Sequence, residues 1–415
     1  MHVETRPKHV LISGASIAGP ALAYWLNKYG FKVTIIERQP ALSRGGYRID
    51  LRGVAVTIAE QMGIMPQIRQ QQTFVRSATL VNKKGKEIAT FHPDTWGMRM
   101  DKDLEIMRGD LAHILYEATR GEVSYIFNDS ITSVLQHEDS VTVTFQRSAP
   151  RTFDLLVGAD GLRSNVRKLV FGNESSYLRH LGFYISIFSL ENYLQLDHGE
   201  MGYPLPGKLI NVFNASRQQE AKAAFLFAAP PLTYDHRHPE QQMDIVTDYF
   251  RDAGWEAPRL LAAMRQAPDF YFDAISQVHM EQLWKDRVVL LGDAGYCPSP
   301  ASGQGTSLAI IGAYVLAGEL AKAQGDHTAA YSSYHRQMQP LIRLNQELGQ
   351  TALKKMIART KREVWIQAFF IRIMLRLPGR NWLFTRFLSK LQQQVNKAAN
   401  GITPEDYRAY EQADR

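Results

Sequence analysis

The 415 residues, 45% hydrophobic and 21% charged, give room for two or three domains of ordinary globular composition. The single cysteine, Cys297, excludes a disulfide scaffold and fits a reducing, cytoplasmic setting, and no run reaches the roughly 18 uncharged apolar residues of a membrane span. The net charge of +7 is local: residues 351–400 carry eleven Lys or Arg against one acid, Glu363. That leaves a slightly acidic body of 37 basic and 40 acidic residues, which excludes nucleic acid as the partner of the whole protein.

The opening "MHVETRPKHVLISG" has no apolar segment of signal-peptide type. "HVLISG" reads as a short buried strand ending in glycine, "PALAYWLNKYG" as a helix stopped by Gly30, and "KVTIIER" as a β-branched strand ending at Glu37. Pro20 suits a first helical turn, where its missing N–H costs nothing. The joint of this βαβ start, "GASIAG", allows two chemistries. As an approximate G-x-S-x-G elbow it would expose Ser16 as a hydrolase nucleophile. As an approximate G-x-G-x-x-G loop it would cradle a dinucleotide pyrophosphate. The elbow needs a histidine and an acid from later strands, none of the twelve histidines follows a late strand, and Ala18 stands where the last glycine belongs. The cradle needs Gly14 for the tight turn, a small residue at Ser16 beside the phosphates, and Gly19 for close helix–strand contact. Glu37 then ends the second strand, where a carboxylate accepts from ribose hydroxyls.

Further on, "GGYRIDLRG" leads into a helix over 54–70, "SATLVNKKGKEIATF" into a hairpin turning at Lys84-Gly85, and "DLEIMRGDLAHILYEAT" back into helix. "SITSVLQHEDSVTVTFQR" alternates as two antiparallel strands. From 175 to 280 short aromatic strands dominate, such as "GFYISIFSL" and "AAFLFAAPP", followed by one helix over 243–252. Two segments return to buried strand, glycine turn and helix: "DLLVGADGLRSNVR" and "VVLLGDAGYCPSPASGQG". Turns at the carboxyl ends of parallel strands can meet along one ligand. Three of them, spread over about 280 residues, fit an extended FAD better than a nicotinamide dinucleotide held in one βαβ half.

On "GASIAG", "GADGLRSNVR" and "GDAGYCPSPASGQG", in this order, the chain resembles the single-component FAD-dependent aromatic hydroxylases of the p-hydroxybenzoate hydroxylase fold over residues 8–345. "NYLQLDHGE", "DFYFDAISQVHM", "GGYRIDLRG" and "LEIMRGDL" look most like the tetracycline-inactivating members. The resemblance implies an α/β fold. A Rossmann-like FAD-binding domain would span 1–72, 106–174 and 281–326, an inserted, mainly antiparallel β-sheet substrate domain 73–105 and 175–280, and C-terminal helices 327–415. It implies a monooxygenase that takes electrons from NADPH, or NADH, and inserts one oxygen of O2 into an aromatic or polycyclic molecule, tetracyclines leading. A flavin dehydrogenase or oxidase on the same fold is the alternative.

Carried over by motif, Gly14, Ser16, Ala18 and Gly19 form the pyrophosphate cradle, and Glu37 and Arg38 hold the adenosine end. Arg108 reaches the pyrophosphate or ribityl region, Asp293 accepts from a ribityl hydroxyl, and Asp50 lies near the flavin; Asp160, Gly303 and Gly305 complete the cofactor set. Arg44 or Arg48 meets a nicotinamide phosphate, and Phe225 and Pro300 are offered for substrate; no metal and no catalytic side chain is implied. A helix starting near Thr306, capped by Thr306 or Ser307, would aim its N-terminal partial charge at the flavin pyrimidine ring, favouring the anionic reduced form by about 0.3–1 kcal/mol. Two departures stand out: Tyr296 replaces the histidine of the family's GDAAH pattern, and Ser307 the asparagine of GQGxN. The basic tail reads as amphipathic helix broken at Pro378. Its apolar stripe is expected to pack on the body in preference to a membrane surface.

Overall fold

In a computed structural model describing residues 7–42, 46–92, 103–214, 219–376 and 380–411, the buried apolar runs assemble into a six-stranded sheet. Its order is Trp284–Lys285, Val288–Leu290, Leu155–Gly158, His9–Ser13, Lys32–Glu37, Ser124–Phe127, parallel throughout except at the first pair. Parallel strands are covered on both faces, which is why these runs lack polar alternation. The pleat divides the first strand. Val10 and Ile12 join the core with Leu22, Trp25 and Leu316, while Leu11 joins Val141, Val143 and Phe153 of a three-stranded sheet behind. Ser13 is level with Ile36 and Gly158, and Gly158 with Leu290, so these strands end together.

A second sheet of seven strands runs Tyr271–Val278, Leu178–Glu191, Glu220–Ala228, Lys208–Phe213, Gly199–Leu205, Ser77–Val81, Glu87–Phe91. Both of its faces are covered. Tyr184, Phe188, Phe225, Phe227 and Phe272 form one core with Val246, Phe250 and Leu260 of the helices Pro239–Phe250 and Ala257–Met264. The second of these helices was not read from the sequence. The helix expected over 54–70 is interrupted at Gly63, whose φ of +71° ends Val54–Gln61 before Met65–Gln70 begins.

The C-terminal part holds the helices His327–Met356, Lys361–Arg376 and Arg380–Asn400, with Pro378 outside the described residues. The end of the last helix packs inward: Val395 and Ala398 meet Leu348, and Asn345 Nδ2 donates to the Ala398 carbonyl at 3.0 Å. After it, Tyr407 is fully buried against Gly318, where a Cβ would lie 2.2 Å from its ring, and its hydroxyl donates to Glu319 at 2.6 Å. No helix of the described residues is long and apolar enough to cross a membrane.

Candidate functional site

Because three strands end level, the turns that follow them touch. Gly14 has φ +110°, and a Cβ there would sit 2.5 Å from the Ala159 carbonyl oxygen. A Cβ on Gly19 would sit 1.9 Å from the Gly14 carbonyl, and one on Gly292 3.2 Å from the Ala18 methyl. These positions therefore accept only glycine without backbone movement, and a ligand can approach bare main chain.

Two cavities of about 270 and 380 Å³ run along the joined turns and share Ser16, Arg108, Ala159 and Gly161 as walls. They form one elongated slot. Glu37, Arg38 and Leu42 border one end; Asp50, Asp293, Gly303 and Gly305 border the other. Glu37 accepts from the backbone N–H of Ala15 at 3.0 Å and of Gln39 at 2.9 Å, which fixes its carboxylate at the rim. At the waist Arg108 donates to Ser16 Oγ at 2.9 Å, leaving the hydroxyl proton free to serve a phosphate oxygen. No histidine lines either cavity among the described residues, so Ser16 has no base and the hydrolase reading has no triad. A larger surface cavity of about 1290 Å³, between Trp284 and Arg343, borders only the back of Gly295 and Tyr296.

Asp293 opens the short helix Asp293–Tyr296 and lines the slot, its side chain exposed to the open space between the protein walls. Those walls raise its carboxyl above the usual range, and the nearby Arg108 opposes the rise. The helix Gly305–Lys322 begins at the slot without a side-chain cap, its N-cap residue being Gln304. Thr306 and Ser307 do not cap it as expected: Ser307 Oγ instead accepts from Arg52 N at 3.0 Å. Gly305 and Thr306 thus line the cavity at a helix start whose first N–H groups have no partner within the helix. Asp50 accepts from Arg52 at 2.6 Å beside Gly303. Tyr296, the replaced histidine, turns into the core. Its hydroxyl lies 3.0 Å from that of Tyr334, and a Cβ on Gly312 would lie 2.1 Å from it.

The packing around Asp160, Arg48 and Phe225 bears on three sequence assignments. Asp160 borders the slot, but its carboxylate is spent on Ser164 Oγ and on the N–H groups of Asn165 and Val166 at 2.9 and 3.1 Å; it pins the helix Asn165–Phe171. Arg48 borders the slot, but its guanidinium is engaged by protein: it pairs with Glu200 at 2.6 Å and Glu105 at 3.5 Å and covers the Phe213 ring at 4.3 Å. Arg44 lies outside the described residues. Phe225 is fully buried on the helix-covered face of the sheet, opposite Ser186, so it cannot wall the slot. The wall comes from the alternate residues Ile185 and Ile187, with Tyr271, Tyr47 and Pro300. Strand alternation marks that set as one of two, and only the packing of the helices selects it. Sequence also missed Arg163, which reaches from the second turn to Asp273 at 2.8 Å and ties the two sheets together.

The glycine cradle, the donors at the waist, the carboxylates at each end and the uncapped helix fit an extended flavin dinucleotide. A sequence profile described as "FAD binding domain" matches residues 8–345. The chain belongs to the FAD-dependent aromatic hydroxylases of the p-hydroxybenzoate hydroxylase fold. Among relatives of this chain, a flavin-dependent monooxygenase from an unknown prokaryotic organism is 44% identical over 82% of this chain and 88% of its own. One from Legionella longbeachae serogroup 1 (strain NSW150) is 37% identical over 96% of this chain and 98% of its own. Among solved structures, the tetracycline destructase Tet(55) is similar to this chain with a TM-score of 0.82 and 37% identity, covering 97% of this chain and 99% of that one.

Proposed function

We propose that the chain is an NAD(P)H-dependent FAD monooxygenase that inserts one atom of O2 into a polycyclic aromatic molecule, with tetracyclines the first class to test. One observation carries this reading: the slot leaves the glycine turns at Gly305 and runs on beneath Ile185, Ile187 and Tyr271 of the second sheet. The ring end of a dinucleotide in the slot would therefore meet an apolar wall of a different domain. Bound there, FAD supplies electron transfer and oxygen activation. Arg108 and Ser16 offer donors to the pyrophosphate, and Glu37 and Asp293 offer acceptors to the sugar hydroxyls. The uncapped start of Gly305–Lys322 would favour negative charge on a group held beside Gly305 and Thr306. Ile185, Ile187 and Pro300 exclude water and give a flat polycycle a surface to lie against. The likeness to Tet(55) supports tetracyclines over smaller phenols.

The test is to supply the flavin-loaded protein with NADPH, labelled O2 and a panel of tetracyclines and phenols. The expected result is substrate-stimulated NADPH oxidation and a product heavier by one labelled oxygen. NADPH oxidation with no label in the product would favour a dehydrogenase or oxidase instead.

A further inference from the structure

We propose that the helix Lys361–Arg376 docks the enzyme on an anionic membrane surface. At about 100° per residue, Val364, Ala368 and Ile371 share the face that is turned inward, and none of these is aromatic. Trp365, Ile366, Phe369 and Ile373 cluster on the opposite side, Trp365 being 63% and Phe369 49% exposed. Trp365 and Phe369 stack at 5.0 Å and make one aromatic plate. A helix that serves only the core turns its apolar stripe inward. Here the three aromatic residues, Trp365, Phe369 and Phe370, are exposed.

The charge around the plate chooses its occupant. Lys361, Arg362 and Arg372 on this helix are exposed, as are Lys354 and Arg359 in the chain just before it. The one acid of the stretch, Glu363, is spent on the backbone N–H of Arg359 at 2.6 Å. A second copy would bring two such basic faces together, at an electrostatic cost. An anionic bilayer offers an apolar layer for the plate and negative headgroups for the cations, and tryptophan prefers that boundary. Contact of this kind is peripheral, in keeping with the lack of a spanning helix among the described residues.

The FAD-loaded full chain should cosediment with vesicles of phosphatidylcholine and phosphatidylglycerol, much less with phosphatidylcholine alone, and less as salt rises. The Trp365→Ser/Phe369→Ser pair should lower retention at least about tenfold. The Lys361→Glu/Arg362→Glu pair should erase the preference for the anionic vesicles, at roughly fivefold per cation removed. Flavin absorbance and the unfolding midpoint of both variants should match the unmodified chain. Absence of retention on either vesicle overturns the proposal, as does equal retention by the Trp365→Ser/Phe369→Ser pair. Concentration-dependent dimerisation lost in that pair, without vesicle retention, would assign the face to a second copy and also overturn it.

Discussion

Arg108 and Ser16 meet at 2.9 Å, so the start of the helix Arg108–Glu117 is joined to the first glycine turn at the waist of the slot. The Ser16 contact itself is exposed and contributes little, whereas a charge-assisted hydrogen bond from Arg108 to a phosphate would be worth about 1.5–3 kcal/mol. Arg108→Ala is expected to weaken FAD about tenfold to a hundredfold in a fluorescence titration. The apo protein should unfold at nearly the same temperature, because the side chain is exposed. Unchanged FAD affinity would remove Arg108 from the phosphate lane.

Asp293 carries a pH signature. The protein walls around it raise its carboxyl in the folded apo chain, although the side chain itself stands open to the slot, so ionising it there is mildly unfavourable. Its contribution to apo stability is present in full below the usual carboxylate range and is lost as pH rises through the raised value. Asp293→Asn should therefore leave the apo protein more stable than the unmodified chain at neutral pH, the gap closing in acid. Asp293→Ala should purify folded but largely colourless; full flavin occupancy would refute the role given to this acid.

Arg48 neutralises two acids, Glu105 and Glu200, the first of them 5% exposed. Removing one member of a buried ion cluster costs about 3–5 kcal/mol. Arg48→Ala should lower the unfolding midpoint sharply while the KM for NADPH in the surviving folded protein stays unchanged. A selective rise in that KM at normal stability would support the nucleotide-binding assignment.

Tyr296 and Gly312 fit as a pair. Gly312→Ala forces a methyl against the Tyr296 hydroxyl, where only 2.1 Å is available, and overpacking of this kind costs about 1–3 kcal/mol. Adding Tyr296→Phe should recover part of the lost stability in thermal melts, although it forfeits the contact with Tyr334. Additive losses in the double variant would mean that the two sites relax independently.

The glycine turns were readable because each demands a residue type. Gly14 and Gly19 accept no side chain, and the apolar runs before them fit only doubly covered strands. The sheet wall was not readable, because both faces of the Glu220–Ala228 strand are covered and polarity does not distinguish Phe225 from Leu226. The setting of Arg48 was hidden for a related reason: the acids that engage it, Glu105 and Glu200, are remote in sequence and adjacent only after folding. Asp160 belongs to a motif that lines the cofactor lane, but motif membership does not say whether an acid faces the ligand or the helix behind it. The basic tail was read as one stripe. It divides, with Val395 and Ala398 packed inward and Trp365 and Phe369 outward.

Tyr407 braces Gly318 and Glu319, on the same helix whose opening turn borders the slot. A ribosome delivers the cradle at Gly14 long before this brace emerges. Until then the helix lacks the ring that fills its Gly318 notch, and the prosthetic group would meet a half-supported berth. A chain ended before Tyr407 is therefore expected to hold flavin more weakly than the full chain.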